Sequence, residues 1–290
     1  MVDWQQRMAQ GLLWIEEHLD GKIDVEIVAR EANCSSFHFM RMFDIITGIT
    51  SAEYIRRRRL SLAAIELSTA DTRILDIAIK FGYESPDSFA RAFKREFGCL
   101  PSEARAQGTP LHSFPVLSFS IALKGDKAME YRIEKMEGMK LTGISIQATN
   151  KDGTNFTDAP ALWDRSMKDG SFTALCKKAE GSRFGVIGVC HDFNMETGEF
   201  SYGIAIETPE DRTGLPPGCE DIAVPASTWS KFTSRGPLRP KFQETIKRIW
   251  AEWFPASGRE HAGTPEIEYY GTNENPMADD YWCEYWIPLK

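Results

Sequence analysis

Between residues 27 and 103 the apolar positions recur three and four apart, the spacing of amphipathic helices, and the pattern then repeats itself. Sliding the chain by 50 aligns 27–53 with 77–103 without a gap. Seven positions coincide: Ile27/Ile77, Ser35/Ser85, Phe39/Phe89, Arg41/Arg91, Phe43/Phe93, Gly48/Gly98 and Glu53/Glu103. Each copy reads as a helix, a tight turn and a second helix. In the second copy Gly82 permits the turn, Ser85 caps the next helix, Pro86 suits its first position and Asp87 complements its positive end. In the first copy Asn33 and Cys34 make the turn, Ser35 is the cap and Ala32 stands where Gly82 does.

The capped helices carry two faces. Phe39 and Phe43, like Phe89 and Phe93, are four apart and form a buried ridge. Phe37, Met40, Arg41 and Asp44 share another face, matched by Asp87, Ala90, Arg91 and Lys94. A lone arginine there would be an ordinary solvated cation. Its recurrence at the same place in two capped helices points to base reading, because a guanidinium can bond guanine O6 and N7 together. Residues 51–68 lack Gly and Pro and predict one connecting helix of about 27 Å, enough to hold two reading heads near the ~34 Å spacing of successive major grooves. Arg56, Arg57, Arg58 and Arg59 point around the whole of that helix, so only one or two can meet DNA and the others pair with acidic neighbours.

Past the helix-breaking run 107–115 the pattern changes to alternation. Strands are predicted at 129–135, 140–148, 184–190, 200–207, 222–232, 267–270 and 281–289, with helices at 159–168, 172–179 and 239–254. The expected organisation is therefore multidomain: an all-α double helix-turn-helix domain over 1–108, a linker over 109–127, and an α+β antiparallel-sheet domain over 128–290. Helices on one side of the sheet would leave the opposite, concave face for a ligand. On the last strand, alternation puts Trp282, Glu284 and Trp286 on one face, where a carboxylate between two indoles suits a cationic ligand. Plain core packing explains the tryptophans equally well; the carboxylate is the stronger sign, since it needs a partner if buried.

Composition bounds these readings. The chain has 290 residues, 42% hydrophobic, enough for two packed cores, and six cysteines without a Cys-x-x-Cys pair, as in a reducing compartment. Neither a signal peptide nor a membrane span is visible, so a cytoplasmic protein without membrane contact is expected. A net charge of −8 opposes nucleic-acid binding, and the first 108 residues still hold 14 Lys and Arg against 16 Asp and Glu. The cations must then be gathered on one face. Scattered histidines, the compact Cys190-His191-Asp192 and the lack of a phosphate loop give no metal, cofactor or catalytic site.

The first half resembles the AraC/XylS DNA-binding domain through Ala29-x-x-Ala32, His38-Phe39-x-Arg41-x-Phe43, Gly48, Tyr54-Ile55-x-x-x-Arg59-Leu60, Ile77-Ala78, Phe81-Gly82-Tyr83 and Phe89-x-Arg91-x-Phe93-Lys94. That resemblance implies two recognition helices contacting double-stranded DNA through Ser36, Phe37, Met40, Arg41, Asp87, Ser88, Arg91 and Lys94. The second half resembles the GyrI-like effector-binding domain through Tyr131-x-Ile133, Tyr202-Gly203-Ile204-Ala205-Ile206, Ser234-Arg235-Gly236-Pro237-Leu238, Trp250-x-x-Trp253, Glu266-x-x-Tyr269 and Glu284-x-Trp286-Ile287-Pro288. It implies two β-α-β-β modules forming a groove for multidrug-type, cationic or amphiphilic compounds, with Glu284 as the contacting acid. The combination is similar to Rob-like transcription regulators, which contact RNA polymerase and often bend DNA. Two other readings stay open: a small-molecule hydrolase using Glu284 as general acid or base, and a constitutive DNA-bending regulator whose second domain takes no effector.

Overall fold

The structure, a computed structural model, describes residues 4–106, 109, 111–117, 128–149, 154–271 and 275–290. The chain divides into two compact units, one of Met1–Phe39 and Ser51–Ala122, the other of Met40–Thr50 and Leu123–Lys290. The eleven residues Met40–Thr50, which the sequence pattern assigns to the helical half, thus count with the second unit. The expected domain boundary at Gly108 lies outside the described residues, as does 118–127 of the expected linker. Residues 111–117 are packed rather than extended away: the Phe114 amide donates to Ser61 Oγ at 2.8 Å and its carbonyl accepts from Arg58 Nη1 at 2.6 Å.

Helices α1 (Trp4–Glu17), α2 (Val25–Glu31), α3 (Ser36–Thr47), α4 (Ser51–Thr69), α5 (Ile74–Lys80), α6 (Pro86–Phe97) and α7 (Pro101–Ala104) run through the first hundred residues. The second copy of the repeat folds as its residues dictate. Gly82 takes φ of 81°, and the Ser85 hydroxyl accepts from the Ser88 amide at 3.2 Å. In the first copy the left-handed residue is Asn33, with φ of 55°. The amide of Cys34 bonds to the Ala29 carbonyl as that of Tyr83 bonds to Ala78, so Asn33, not Ala32, is the counterpart of Gly82. The second turn is one residue longer than the first; a gapless alignment conceals this, because the caps Ser35 and Ser85 remain 50 apart. Phe39, Phe43, Phe89 and Phe93 are all buried, and Leu60, Leu67, Ile77, Phe89 and Phe93 form one core.

Each arginine of the run has a partner within the chain. Arg56 and Arg57 both bond Glu53, Arg58 holds Glu16 with Nη2 to Oε2 of 2.9 Å, and Arg59 Nε donates to the Leu19 carbonyl at 2.8 Å.

The second unit is built on one antiparallel sheet of β1 (Tyr131–Met136), β2 (Met139–Thr149), β3 (Ile187–Asn194), β4 (Glu199–Glu207), β5 (Glu220–Val224), β6 (Ser227–Arg235), β7 (Glu266–Tyr270) and β8 (Trp282–Leu289), in the order β1-β6-β8-β7-β3-β4-β2-β5. Outward from the central pair, β3-β4-β2-β5 mirrors β7-β8-β6-β1, the mark of a duplicated module. Met136 and Met139 are joined by at most about 11 Å of chain, yet a flat sheet in this order would set β1 and β2 about 29 Å apart. The sheet therefore rolls up. Its inner face closes on Leu141, Val189, Trp229, Ile267 and Trp286.

Helices α8 (Asn155–Asp169) and α9 (Ser171–Lys178) pack on β2 and β4, and α10 (Leu238–Arg248) on β6 and β8. A π-helical turn at Ile249–Trp253 and α11 (Phe254–Ser257) extend α10. This corrects the expected position of the groove. The face away from the helices is filled with core, and the open space lies on the helix-bearing face, between the two helical groups. Among the described residues no helix is long and apolar enough to cross a membrane.

Candidate functional site

Helix α6 presents an exposed polar face. Asp87, Arg91 and Lys94 are exposed, while Phe89 and Phe93 on the opposite side anchor the helix. Ser88 is half-buried and its hydroxyl donates to the Ser85 carbonyl at 2.8 Å, which tightens the first turn of that face. The first copy differs. Ser36, Phe37 and Met40 are half-buried, whereas Arg41, expected as the partner of Arg91, is 4% exposed and counts with the second unit. There it bonds the carboxylate of Glu266, with Nη2 to Oε2 of 2.9 Å and Nε to Oε1 of 3.3 Å.

The groove is a cavity of about 1390 Å³. Central strands form its floor with Tyr202, Glu268, Tyr270 and Tyr285, and Trp163 of α8 and Phe242 of α10 stand on its two walls. Alternation along β7 places Glu266, Glu268 and Tyr270 on this face and Ile267 and Tyr269 on the inner one. Glu268 accepts from the hydroxyls of Tyr202 at 2.6 Å and Tyr270 at 2.5 Å, both on Oε2, and Trp163 Nε1 donates to Tyr202 at 2.8 Å. Burial pushes the Glu268 carboxyl up, the two tyrosines pull it down, and nearby Glu266 adds to the rise. The tyrosines are held well above their ordinary range, first by burial and then by Glu268, so they stay protonated donors.

Gly188 makes this arrangement possible. It lies opposite Glu268 across β3 and β7, and a Cβ there would stand 2.6 Å from Glu268 Oε2 and 2.9 Å from the Tyr202 hydroxyl. Among the described residues no lysine, arginine or histidine pairs with Glu268. It is an acid prepared by hydrogen bonds and left without a cation.

Glu266 is its opposite. Burial works against its ionisation, but the Arg41 guanidinium foremost, with His261, outweighs it and holds the carboxyl at about 2. Tyr285 donates to its Oε2, and His261 Nε2 lies 3.1 Å from Oε1.

The site expected on β8 is not in the groove. Glu284 faces the inner side of the roll, where Arg132 Nη2 donates to Oε2 at 3.0 Å and Trp286 Nε1 to Oε2 at 2.7 Å. Trp286 is a core residue, 2% exposed, and Trp282 packs on Tyr269 with centroids 5.8 Å apart. The three side chains do share one face, as alternation requires; that face is the inner one, and Glu284 is ion-paired with Arg132 there. Glu268 and its tyrosines were missed. Their signal was present in Glu266-Ile267-Glu268-Tyr269-Tyr270, two carboxylates and a tyrosine at alternate positions of an apolar strand.

Residues 132–289 match the family described as integron-associated effector binding protein, and residues 28–107 a helix-turn-helix domain family. The regulatory protein SoxS of Salmonella typhimurium is 45% identical over 101 residues, 34% of this chain and 94% of SoxS. The HTH-type transcriptional activator AarP of Providencia stuartii is 36% identical over 115 residues, 40% of this chain and 85% of AarP. The solved structure of SAV2435 bound to tetraphenylphosphonium aligns with 56% of this chain and 94% of its own at 21% identity, with a TM-score of 0.49.

Proposed function

The chain belongs to the integron-associated effector binding protein family through residues 132–289 and to the AraC-type helix-turn-helix regulators through its first hundred residues, and from this premise we propose that a lipophilic organic cation in the groove controls its action on DNA. The protein is a DNA-binding transcription regulator. The finer reading is that α6 reads bases through Asp87, Ser88, Arg91 and Lys94, that Arg41 reads when it is not buried, and that Glu268 receives the effector. Contact with RNA polymerase belongs to the same proposal; its support is the likeness to AarP, a transcriptional activator.

The observation that carries the reading is Glu268. A desolvated carboxylate without an ion pair is costly, and a cation that brings no strongly held water repays the cost on entering. Aromatic rings around it cover the apolar body of such a ligand. The test is calorimetric titration of the full chain with tetraphenylphosphonium, beside Glu268→Gln, which keeps the shape and removes the charge. A hydrogen bond to a charged group is worth about 1.5–3 kcal/mol, so the variant is expected to bind roughly 10- to 150-fold more weakly. Equal affinity of the two proteins overturns the assignment.

A further inference from the structure

Arg41 occupies a site with the construction of a guanidinium receptor. Besides the bonds to Glu266, its guanidinium carbon lies 4.8 Å from the ring centre of Phe193 and 5.7 Å from that of Trp250, so aromatic faces enclose the charge. The acid is prepared for this occupant. Glu266 is fully buried, Tyr285 fixes one oxygen, and His261, whose Nδ1 accepts the Gly263 amide at 2.8 Å, keeps its other nitrogen against the second oxygen. The repeat supplies the contrast, since Arg91, at the matching position of the second copy, is exposed.

We propose that the Glu266 pocket is an arginine-binding site that takes Arg41 out of use, so that the first recognition helix and the effector groove compete for one side chain. This rests on the reading of α3 as a recognition helix and of the groove as the effector site. A guanidinium that is 4% exposed and holds Glu266 through Nε and Nη2 is out of reach of a base edge. Arg41 also lines the cavity that Glu268 serves, and the two glutamates are two residues apart on β7, about 7 Å along the strand. A cation bound at Glu268 therefore opposes the guanidinium beside it, by a factor of roughly 10 to 50 at an effective dielectric constant of about 20. Effector entry and release of Arg41 are thus coupled through charge.

The test uses the full chain and a duplex selected by the wild-type protein from a random-sequence library. Glu266→Gln keeps the packing and removes the hold on Arg41, and is expected to bind this duplex at least about tenfold more tightly. Arg41→Gln loses discrimination at part of the site, and in its background Glu266→Gln gives no gain. That missing gain separates release of Arg41 from a general loosening of the fold. If Glu266→Gln does not fold, Tyr285→Phe weakens the same pocket without removing charge and is expected to tighten DNA binding by a smaller factor. Unchanged or weaker DNA binding by a folded variant overturns the proposal and leaves the pair a structural clasp. Tetraphenylphosphonium titrations in the absence of DNA report separately on the effector site: if Glu268→Gln fails to weaken them while Glu266→Gln still tightens DNA binding, the effector reading falls and the arginine site stands.

Discussion

Replacing Gly188 by alanine tests the proposed effector site without changing a single charge. The backbone at Gly188 needs no left-handed conformation, so the substitution carries no dihedral strain and its effect comes from contact alone. The new Cβ would stand 2.6 Å from Glu268 Oε2, whereas an ordinary contact needs about 3.4 Å or more, and the carboxylate must give way by close to 1 Å. A shift of that size disturbs the bonds that Tyr202 and Tyr270 both make to this oxygen. The loss of a hydrogen bond to a charged acceptor, about 1.5–3 kcal/mol, should appear directly in stability. For a unit of this size that lowers the melting temperature by roughly 3–12 °C. Cation affinity should fall about tenfold or more, because the acid is no longer held where the ligand meets it. Scanning fluorimetry and calorimetry with tetraphenylphosphonium on one preparation measure both. Wild-type melting together with wild-type affinity would refute the account of how Gly188, Glu268 and the tyrosines fit together.

Glu268→Gln should move stability in the opposite direction from Gly188→Ala while lowering affinity like it. The Glu268 carboxyl is raised in the folded chain, so its contribution to stability is present below the ordinary carboxylate range and lost as pH rises through the raised value. The melting-temperature advantage of Glu268→Gln should accordingly widen from pH 4.5 toward 7.5, and wild-type cation binding should fade as the acid takes up its proton; a gap constant with pH sinks both statements. Arg91→Ala should weaken binding to the selected duplex by about 1–3 kcal/mol and relax preference at a few adjacent bases. Footprints on selected and random DNA check it, and equal loss on both would leave Arg91 only a phosphate contact.

What the sequence revealed and what it hid follow from the range of each signal. The double helix-turn-helix was legible because its determinants are local: the cap at Ser85, the turn at Gly82, the phenylalanines four apart. The offset at Asn33 was hidden because a one-residue difference in turn length is absorbed before the next cap. Strand alternation correctly grouped Trp282, Glu284 and Trp286, but alternation yields two faces without saying which one is covered. That depends on strand order, and here the order of β1 and β2 forces a roll whose interior takes the face with Glu284. The pairing of Arg41 with Glu266 spans 225 residues and has no local signature at all.

The duplication in the second unit shows why the two acids behave differently. Cys190 lies opposite Tyr202 in one half as Glu268 lies opposite Tyr285 in the other, so the two tyrosines are counterparts. Each donates to a glutamate of β7: Tyr202 to Glu268, Tyr285 to Glu266. The β3 positions that correspond to these glutamates are Gly188 and Cys190, one without a side chain and the other a buried thiol pushed well above its ordinary range by burial. Both halves thus supply donors, and one strand supplies both charges. Had the acids been shared between β3 and β7, each would have faced its own half of the groove. Carried on β7 two residues apart, they share a face, one paired with Arg41 and the other, in the proposed function, left for the effector. A cation at Glu268 then acts on the one at Glu266 across about 7 Å of poorly screened space, a distance at which the occupancy of either is felt by the other.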